Sequence, residues 1–347
     1  MTSTLPNGLP NSNPTLRKAS SMRKNTFVTV AVVTTVALSL AACNRTSPAD
    51  SAAAAAKSAT LVISTLNNPF FVSVADGAKA KAKTLGMTID VQNANNADQA
   101  SLDMATAALS KKPSVLIIDP VSSASGGSIV TQANSSGVPV VAFDRMPKGG
   151  ELKAFIGYDA IQAGKNGAKA LGEAVGGKGK VVEIQGIMGT SVAQERSKGF
   201  EEGLKAFPGI KIVATQPAEF DRGKALDVMT NVLQSNRDIV GVYAANDEMA
   251  LGVIAALKAA GLSGQIKVIG NDGIADAVKA IKDGTLFATN AESPFALGSE
   301  VMALASKVAN GGEVEKNKVL QGFLVKTADV PSYCKKLADL GDTATCK

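Results

Sequence analysis

The stretch Ser64-Thr65-Leu66-Asn67-Asn68-Pro69-Phe70-Phe71 joins an apolar run, Ala59 to Ile63, to a segment of helical character that ends near Leu85. The sequence therefore predicts that a strand ends here and a helix begins. Turns favour small polar residues and rarely expose two large rings, so Phe70 and Phe71 indicate contact with something apolar. In an open parallel sheet, ligands bind beyond the carboxyl ends of the strands, which makes this junction a candidate binding site.

Short β-branched runs alternate with longer helical segments from residue 59 onward, a pattern typical of βαβ units. The predicted strands lie near 59–65, 87–92, 114–119, 139–143, 152–158, 180–185, 211–216, 241–245, 267–270 and 286–290. Two successive sheets fit this number of strands better than one sheet of ten. The fold class is therefore α/β with parallel sheets.

Polar or aromatic residues follow the later predicted strands at the same relative position. They are Asp144-Arg145, Gly189-Thr190-Ser191 with Arg196, Phe220-Asp221-Arg222, Asn246-Asp247-Glu248, Asn271-Asp272 and Glu292. Each alone can be an ordinary helix N-cap or a core residue. Because the carboxyl ends of parallel strands share one edge, the whole set predicts a binding site there.

The side-chain chemistry of this set indicates the kind of ligand. Asp, Asn and Arg present planar donors and acceptors that pair with vicinal hydroxyls, while Phe rings can cover the C–H faces of a sugar. A phosphate site would instead need Gly-rich amides and lysine. The sequence thus favours a neutral polyhydroxy ligand.

Composition excludes several classes of function. The 347 residues carry a net charge of +6, but four of the cations precede Cys43 and no acidic residue does, so the remainder has 32 basic against 30 acidic residues and no nucleic-acid footprint. Histidine is absent, which removes His-dependent nucleophile systems and almost all zinc sites. We predict no metal and no cofactor.

The N-terminus has the order of an export signal. Arg23-Lys24 precede an apolar run over 27–40, and Leu40-Ala41-Ala42-Cys43 follows it. The stretch resembles the bacterial lipoprotein signal, which implies cleavage after residue 42 and lipid attachment to Cys43. Residues 43–58 then form a flexible tether. An uncleaved anchor is the alternative, and a start at Met22 would give a signal of more usual length.

Cys334 and Cys346 lie twelve residues apart near the C-terminus. In an exported protein they can form a local disulfide, which we favour over two free thiols.

The chain from about 59 to 326 resembles the exported ribose-binding proteins of bacterial ABC importers, within the larger family of periplasmic sugar receptors and repressor effector domains. The segments that carry the resemblance are 64–71, Asp144-Arg145, Gln194-Glu195-Arg196, 216–222 and 246–252. It implies two Rossmann-like lobes joined by three hinge crossings, with a ligand cleft between them. The N-terminal lobe would comprise 59–158 and 293–320, and the C-terminal lobe 159–292 and 321–347.

The resemblance also implies roles for single residues. Phe71 and Phe220, with Phe70 beside them, would sandwich a sugar ring, and Ser64 would lie at the edge of the site. The hydroxyls would be bonded by Asn68, Asp144, Arg145, Arg196, Asn246 and Asp272.

Two positions depart from the ribose pattern. Asn271 stands where ribose receptors have phenylalanine, and Glu292 where they have glutamine. An ionised glutamate only accepts hydrogen bonds, whereas glutamine also donates. We therefore predict that both residues contact the ligand, and that it differs from ribose at the carbons that face them. Another pentose, a hexose or a polyol would fit.

The sequence thus predicts a monomeric, lipid-anchored sugar receptor that delivers its ligand to ABC permease subunits. Its membrane contact would be through the anchor alone. A repressor effector domain is the first alternative, but residues 1–58 offer a signal and a tether where a helix-turn-helix is needed. A secreted enzyme that uses Asp144 and Glu292 as acid and base is the second, and we favour binding over catalysis. A chemotaxis receptor would share the same binding chemistry.

Overall fold

The structure, a computed structural model, describes residues 57–347. In chain order its strands are β1 (Ser58–Ile63), β2 (Thr88–Asn93), β3 (Val115–Ile118), β4 (Val140–Phe143), β5 (Ala154–Tyr158), β6 (Lys178–Gln185), β7 (Gly209–Pro217), β8 (Ile239–Ala244), β9 (Lys267–Asp272), β10 (Ala288–Ala291), β11 (Asn317–Leu320) and β12 (Phe323–Val325). Its helices are α1 (Pro69–Thr84), α2 (Asp98–Ser110), α3 (Ser123–Ser135), α4 (Ala160–Ala174), α5 (Ser191–Leu204), α6 (Arg222–Ser235), α7 (Asp247–Ala259), α8 (Ala275–Lys282), α9 (Pro294–Ala309) and α10 (Val330–Asp339).

The strands form two six-stranded sheets. The order is β11-β5-β4-β3-β1-β2 in the first and β12-β10-β9-β8-β6-β7 in the second. All pairings are parallel except the one between β10 and β12. We call the first sheet with its helices the N-terminal lobe and the second the C-terminal lobe. The predicted two-lobe α/β fold is confirmed.

Helices cover both faces of each sheet, which explains why central strands are apolar throughout rather than alternating. All four residues of β3 and of β4 are buried. The sequence did not predict β11 and β12, which are four and three residues long, because such short and partly exposed strands carry no clear pattern. β1 begins at Ser58, one residue inside the segment predicted as a tether.

The chain passes between the lobes three times, at 159, at 292–293 and at 321–322. These crossings lie side by side: the Ser293 amide donates to the Tyr158 hydroxyl (2.8 Å), and the Asp159 amide donates to the Leu320 carbonyl (2.9 Å). A small set of adjacent backbone segments is the arrangement from which hinges are made.

Close packing of α4 on α5 fixes the backbone that carries Arg196. A Cβ on Gly164 would lie 2.1 Å from the Arg196 carbonyl oxygen, and one on Gly199 would lie 2.1 Å from that of Ile161. Because only glycine permits this approach, the two helices hold Arg196 against the sheet.

The C-terminal helix α10 is joined to the last residues of the chain by a disulfide between Cys334 and Cys346. The export signal (1–42) and the lipidation site at Cys43 lie outside the described residues. Within 57–347, no helix is long and apolar enough to span a bilayer.

Candidate ligand-binding cleft

A cavity with about 270 Å³ of empty space lies where the carboxyl ends of both sheets meet. Both lobes contribute to its lining, which consists of Asn68, Phe70, Phe71, Asp144, Arg145, Val192, Arg196, Phe220, Asn246 and Asp272. The lining thus combines aromatic rings with polar side chains, and it is shared by the two lobes.

Aromatic rings from both lobes converge on one guanidinium. Phe71 at the start of α1 packs edge-on against Phe70, with ring centroids 5.2 Å apart. The Cζ atom of Arg145 lies 5.3 Å from the ring centroid of Phe71 and 5.6 Å from that of Phe220. Phe220 sits in the loop before α6 with φ +58°, and its ring fills the space that a side chain at Gly186 would need. The loop is thus built to present this ring.

Two asparagines of the lining are also helix N-caps. The Oδ1 of Asn68 accepts from the Phe70 amide (2.9 Å) at the start of α1, and the Oδ1 of Asn246 accepts from the Met249 amide (3.0 Å) at the start of α7. Because each side-chain oxygen is used by its helix, the Nδ2 donors remain for the cavity.

In the N-terminal lobe, Arg145 is surrounded by acceptors. Its Nη1 donates to the Pro120 carbonyl (3.1 Å), and its Nε lies 3.7 Å from both Asp144 Oδ2 and Asp119 Oδ1. Asp119 is fully buried and its Oδ2 accepts from the Ser64 amide (3.1 Å). Burial raises the pKa of Asp119 to about 7, even though Arg145 lowers it.

In the C-terminal lobe, Arg196 is likewise surrounded by hydrogen-bond acceptors and carboxylates. Its Nη1 donates to the Ala245 carbonyl (2.8 Å) and lies 3.5 Å from Asp272 Oδ1, while its Nη2 donates to Glu292 Oε1 (2.9 Å). Burial, followed by the negative charges of Asp247 and Glu292, raises the pKa of Asp272 well above its usual value, against the opposing effect of Arg196. Burial likewise raises the pKa of Glu292.

Nine of the twelve residues predicted to bind ligand line the cavity, and Ser64, Asn271 and Glu292 do not. Asn271 and Glu292, which we predict to contact the ligand, lie outside this lining: Asn271 Nδ2 donates to Glu292 Oε1 (3.0 Å) and Asp272 Oδ1 (3.1 Å), and Glu292 has no exposed surface. Ser64 is likewise fully buried, outside the lining.

Two residues of this region were not predicted. Val192, in the first turn of α5, lines the cavity, but a lone valine carries no chemical signal in a sequence. Asp119 directly follows the wholly apolar β3. A carboxylate directly after an apolar strand could have been predicted from the sequence to lie near the site. Within residues 57–347, no group of three or more potential ligands is placed to hold a metal ion.

Residues 59–313 match the model of the periplasmic binding protein domain family, and the chain belongs to that family. It is 40% identical over 255 residues to the ribose import binding protein RbsB of Salmonella typhimurium, covering 74% of this chain and 86% of that protein. It is 36% identical over 274 residues to the D-allose-binding periplasmic protein of Escherichia coli, covering 76% of this chain and 88% of that protein.

Among solved structures, it is similar to an ABC transporter solute-binding protein from Bacillus halodurans with bound myo-inositol. The TM-score is 0.76 and the sequence identity 28%, and the match covers 80% of this chain and 96% of that one. These findings confirm the resemblance drawn from the sequence.

Proposed function

We propose that this protein is the extracytoplasmic receptor of an ABC importer and binds one uncharged monosaccharide or polyol between its lobes. The observation that carries the proposal is the convergence of Phe71, Phe220 and a ring of planar polar side chains on one cavity shared by both lobes. Rings suit the C–H faces of a sugar, and the amides, carboxylates and guanidiniums suit its hydroxyls.

The charges around the cavity favour an uncharged ligand. Its two guanidiniums already have four carboxyl groups beside them, although burial raises the pKa of each: those of Asp119, Asp144, Asp272 and Glu292. An anionic ligand would have to compete with these carboxylates for the guanidiniums, and it would bring further negative charge into a buried site. The relatives named for ribose and D-allose, and the neighbour with bound myo-inositol, also concern uncharged polyhydroxy compounds.

Closure of the lobes about the three crossings would link binding to delivery. The polar contacts to ligand come from both lobes, so they can form together only when the lobes approach. We infer that the lobes comprise 59–158 with 293–320 and 159–292 with 321–347. ABC permease subunits would then receive ligand from the closed form.

We also infer that residues 1–42 are an export signal, that Cys43 carries a lipid, and that the mature protein acts as a monomer without catalysis. The pair considered for catalysis gives no support to an enzyme, because Glu292 lies behind Arg196 while Asp144 lines the cavity.

The test is calorimetry of the purified protein with D-ribose, D-allose, myo-inositol and xylitol, and with D-glucuronate as the matched acid. We expect one mole of an uncharged compound to bind per mole of protein and the acid to fail. At a hundredfold excess over its Kd, the bound compound should add about 2.7 kcal/mol to the free energy of unfolding. Tight binding of the acid, or no binding of any sugar or polyol in a wider panel, would contradict the proposal.

A further inference from the structure

Each lobe places one arginine between two carboxylates at the cavity. We call Asp119, Arg145 and Asp144 the N-terminal triad, and Glu292, Arg196 and Asp272 the C-terminal triad. In each triad one aspartate lines the cavity, Asp144 or Asp272, and the other carboxylate is buried behind the arginine. We call Asp119 and Glu292 the rear carboxylates.

The two triads agree in part. Glu292 Oε1 accepts a direct hydrogen bond from Arg196 Nη2 (2.9 Å), whereas Asp119 Oδ1 lies 3.7 Å from Arg145 Nε, as far as Asp144 Oδ2 does. In both, an Nη1 donates to a backbone carbonyl, that of Pro120 or Ala245. Within the described residues, the Nε of each arginine and one oxygen of each rear carboxylate have no hydrogen-bond partner. Buried polar groups nearly always have a hydrogen-bond partner, so four buried atoms without one at a single site indicate a specific role for these residues.

The cavity-facing aspartates share a second feature. Asp144 has φ +57° and Asp272 has φ +123°, backbone conformations that residues with a side chain rarely adopt. Such a strained backbone is kept only where the surrounding contacts impose it, and it is found most often at ligand-binding sites. Both backbones thus hold a carboxylate at the cavity. Its oxygens can accept hydrogen bonds from a ligand only if the neighbouring guanidinium does not bind them first.

We propose that Glu292, through its hydrogen bond, and Asp119, through its charge 3.7 Å away, are positioning residues that hold Arg196 and Arg145 so that Asp272 and Asp144 keep their oxygens for ligand hydroxyls. This inference rests on the proposed function. The present distances from each guanidinium to its cavity-facing aspartate, 3.7 Å and 3.5 Å, are longer than a direct hydrogen bond. Without its rear carboxylate, an arginine would have only that aspartate left within 4 Å among the carboxylates of the described residues. A close bidentate pair would then remove both groups from the ligand.

The experiment compares Asp119→Asn and Glu292→Gln with a matched control, Glu183→Gln. Glu183 is also fully buried and has an oxygen without a hydrogen-bond partner in the described part of the chain, but its bonded neighbour is Thr215 rather than an arginine. Binding of the tightest ligand among D-ribose, D-allose and myo-inositol is measured by calorimetry. We expect about tenfold or greater weakening for the two triad variants, the size of effect known for residues that orient metal ligands, and less than twofold for the control.

A double-mutant cycle separates positioning from general loss of structure. Glu292→Gln should have little further effect once Asp272→Ala has removed the oxygens that it protects, whereas a purely structural effect would add. Glu292→Asp keeps the charge and should bind between wild type and Glu292→Gln, and it replaces that variant if the latter does not fold.

Triad variants that fold and bind within twofold of wild type, or that add in the cycle, would overturn the inference alone. A wild-type protein that binds none of these compounds would overturn the proposed function, and this inference with it.

Discussion

Substitution of Asn246 separates its role in the helix from its role at the ligand. Its Oδ1 caps α7 by accepting from the Met249 amide, and its side chain lines the cavity, yet only 1% of its surface is exposed. Aspartate can keep the cap but has no amide to donate. Alanine loses both functions.

The expected magnitudes follow from these contacts. Asn246→Ala should lower the free energy of unfolding by about 1 kcal/mol, the usual effect of a lost N-cap. Asn246→Asp keeps the cap, so it should change this free energy much less at a pH low enough to protonate its buried carboxyl. A ligand hydroxyl left without its buried donor loses about 2 kcal/mol, which is roughly thirtyfold in Kd. Both variants should therefore bind at least this much more weakly.

Urea unfolding of the ligand-free variants measures the cap, and calorimetry with the ligand of the wild type measures the contact. Equal loss of stability in both variants would show that the cap argument is wrong. An Asn246→Asp protein with wild-type affinity would show that the Nδ2 donor does not meet the ligand.

Two further predictions concern pH and the aromatic wall. Burial raises the pKa values of Asp119 and Asp247 from 3.8 to about 7. Between these two values the folded protein keeps protons that the unfolded chain has lost. The free energy of unfolding should therefore fall as the pH rises from about 4 to about 7, by up to about 1.4 kcal/mol per pH unit for each group. Urea unfolding of the ligand-free protein across this range checks the sign, and a rise in stability would refute it. Gly186→Ala should weaken ligand binding because the new Cβ would lie 2.1 Å from the Phe220 ring, whereas Gly189→Ala, with 3.7 Å to its nearest neighbour, should not. Equal Kd values for the two alanine variants would contradict this account of the loop.

The sequence predicted the sheets well because parallel strands covered on both faces leave long apolar runs, such as the one that became β3. The sequence did not predict β11 and β12, which lie on either side of the third crossing. Each is an edge strand of a different sheet and pairs there with β5 or β10. That pairing is set by tertiary packing, and three or four residues of local sequence do not encode it.

For the site, a residue's position at the end of a strand predicted well that it lies at the cavity edge of the sheet. The sequence did not predict how deeply each side chain is buried there. Asp144 and Asp272 follow or end strands at the predicted edge, and both line the cavity. Glu292 also follows a strand, yet it is buried beneath Arg196, which itself comes from a helix more than ninety residues earlier. A contact between such distant residues determines which carboxylate faces the cavity, and no local pattern reveals it.

The most direct test of the central claim is a crystal structure of the complex with the tightest uncharged ligand. We expect one molecule in the cavity, with its ring between Phe71 and Phe220 and its hydroxyls on groups from both lobes, including Asp144 and Asp272. A ligand bound by one lobe alone, or at a surface away from these residues, would contradict it.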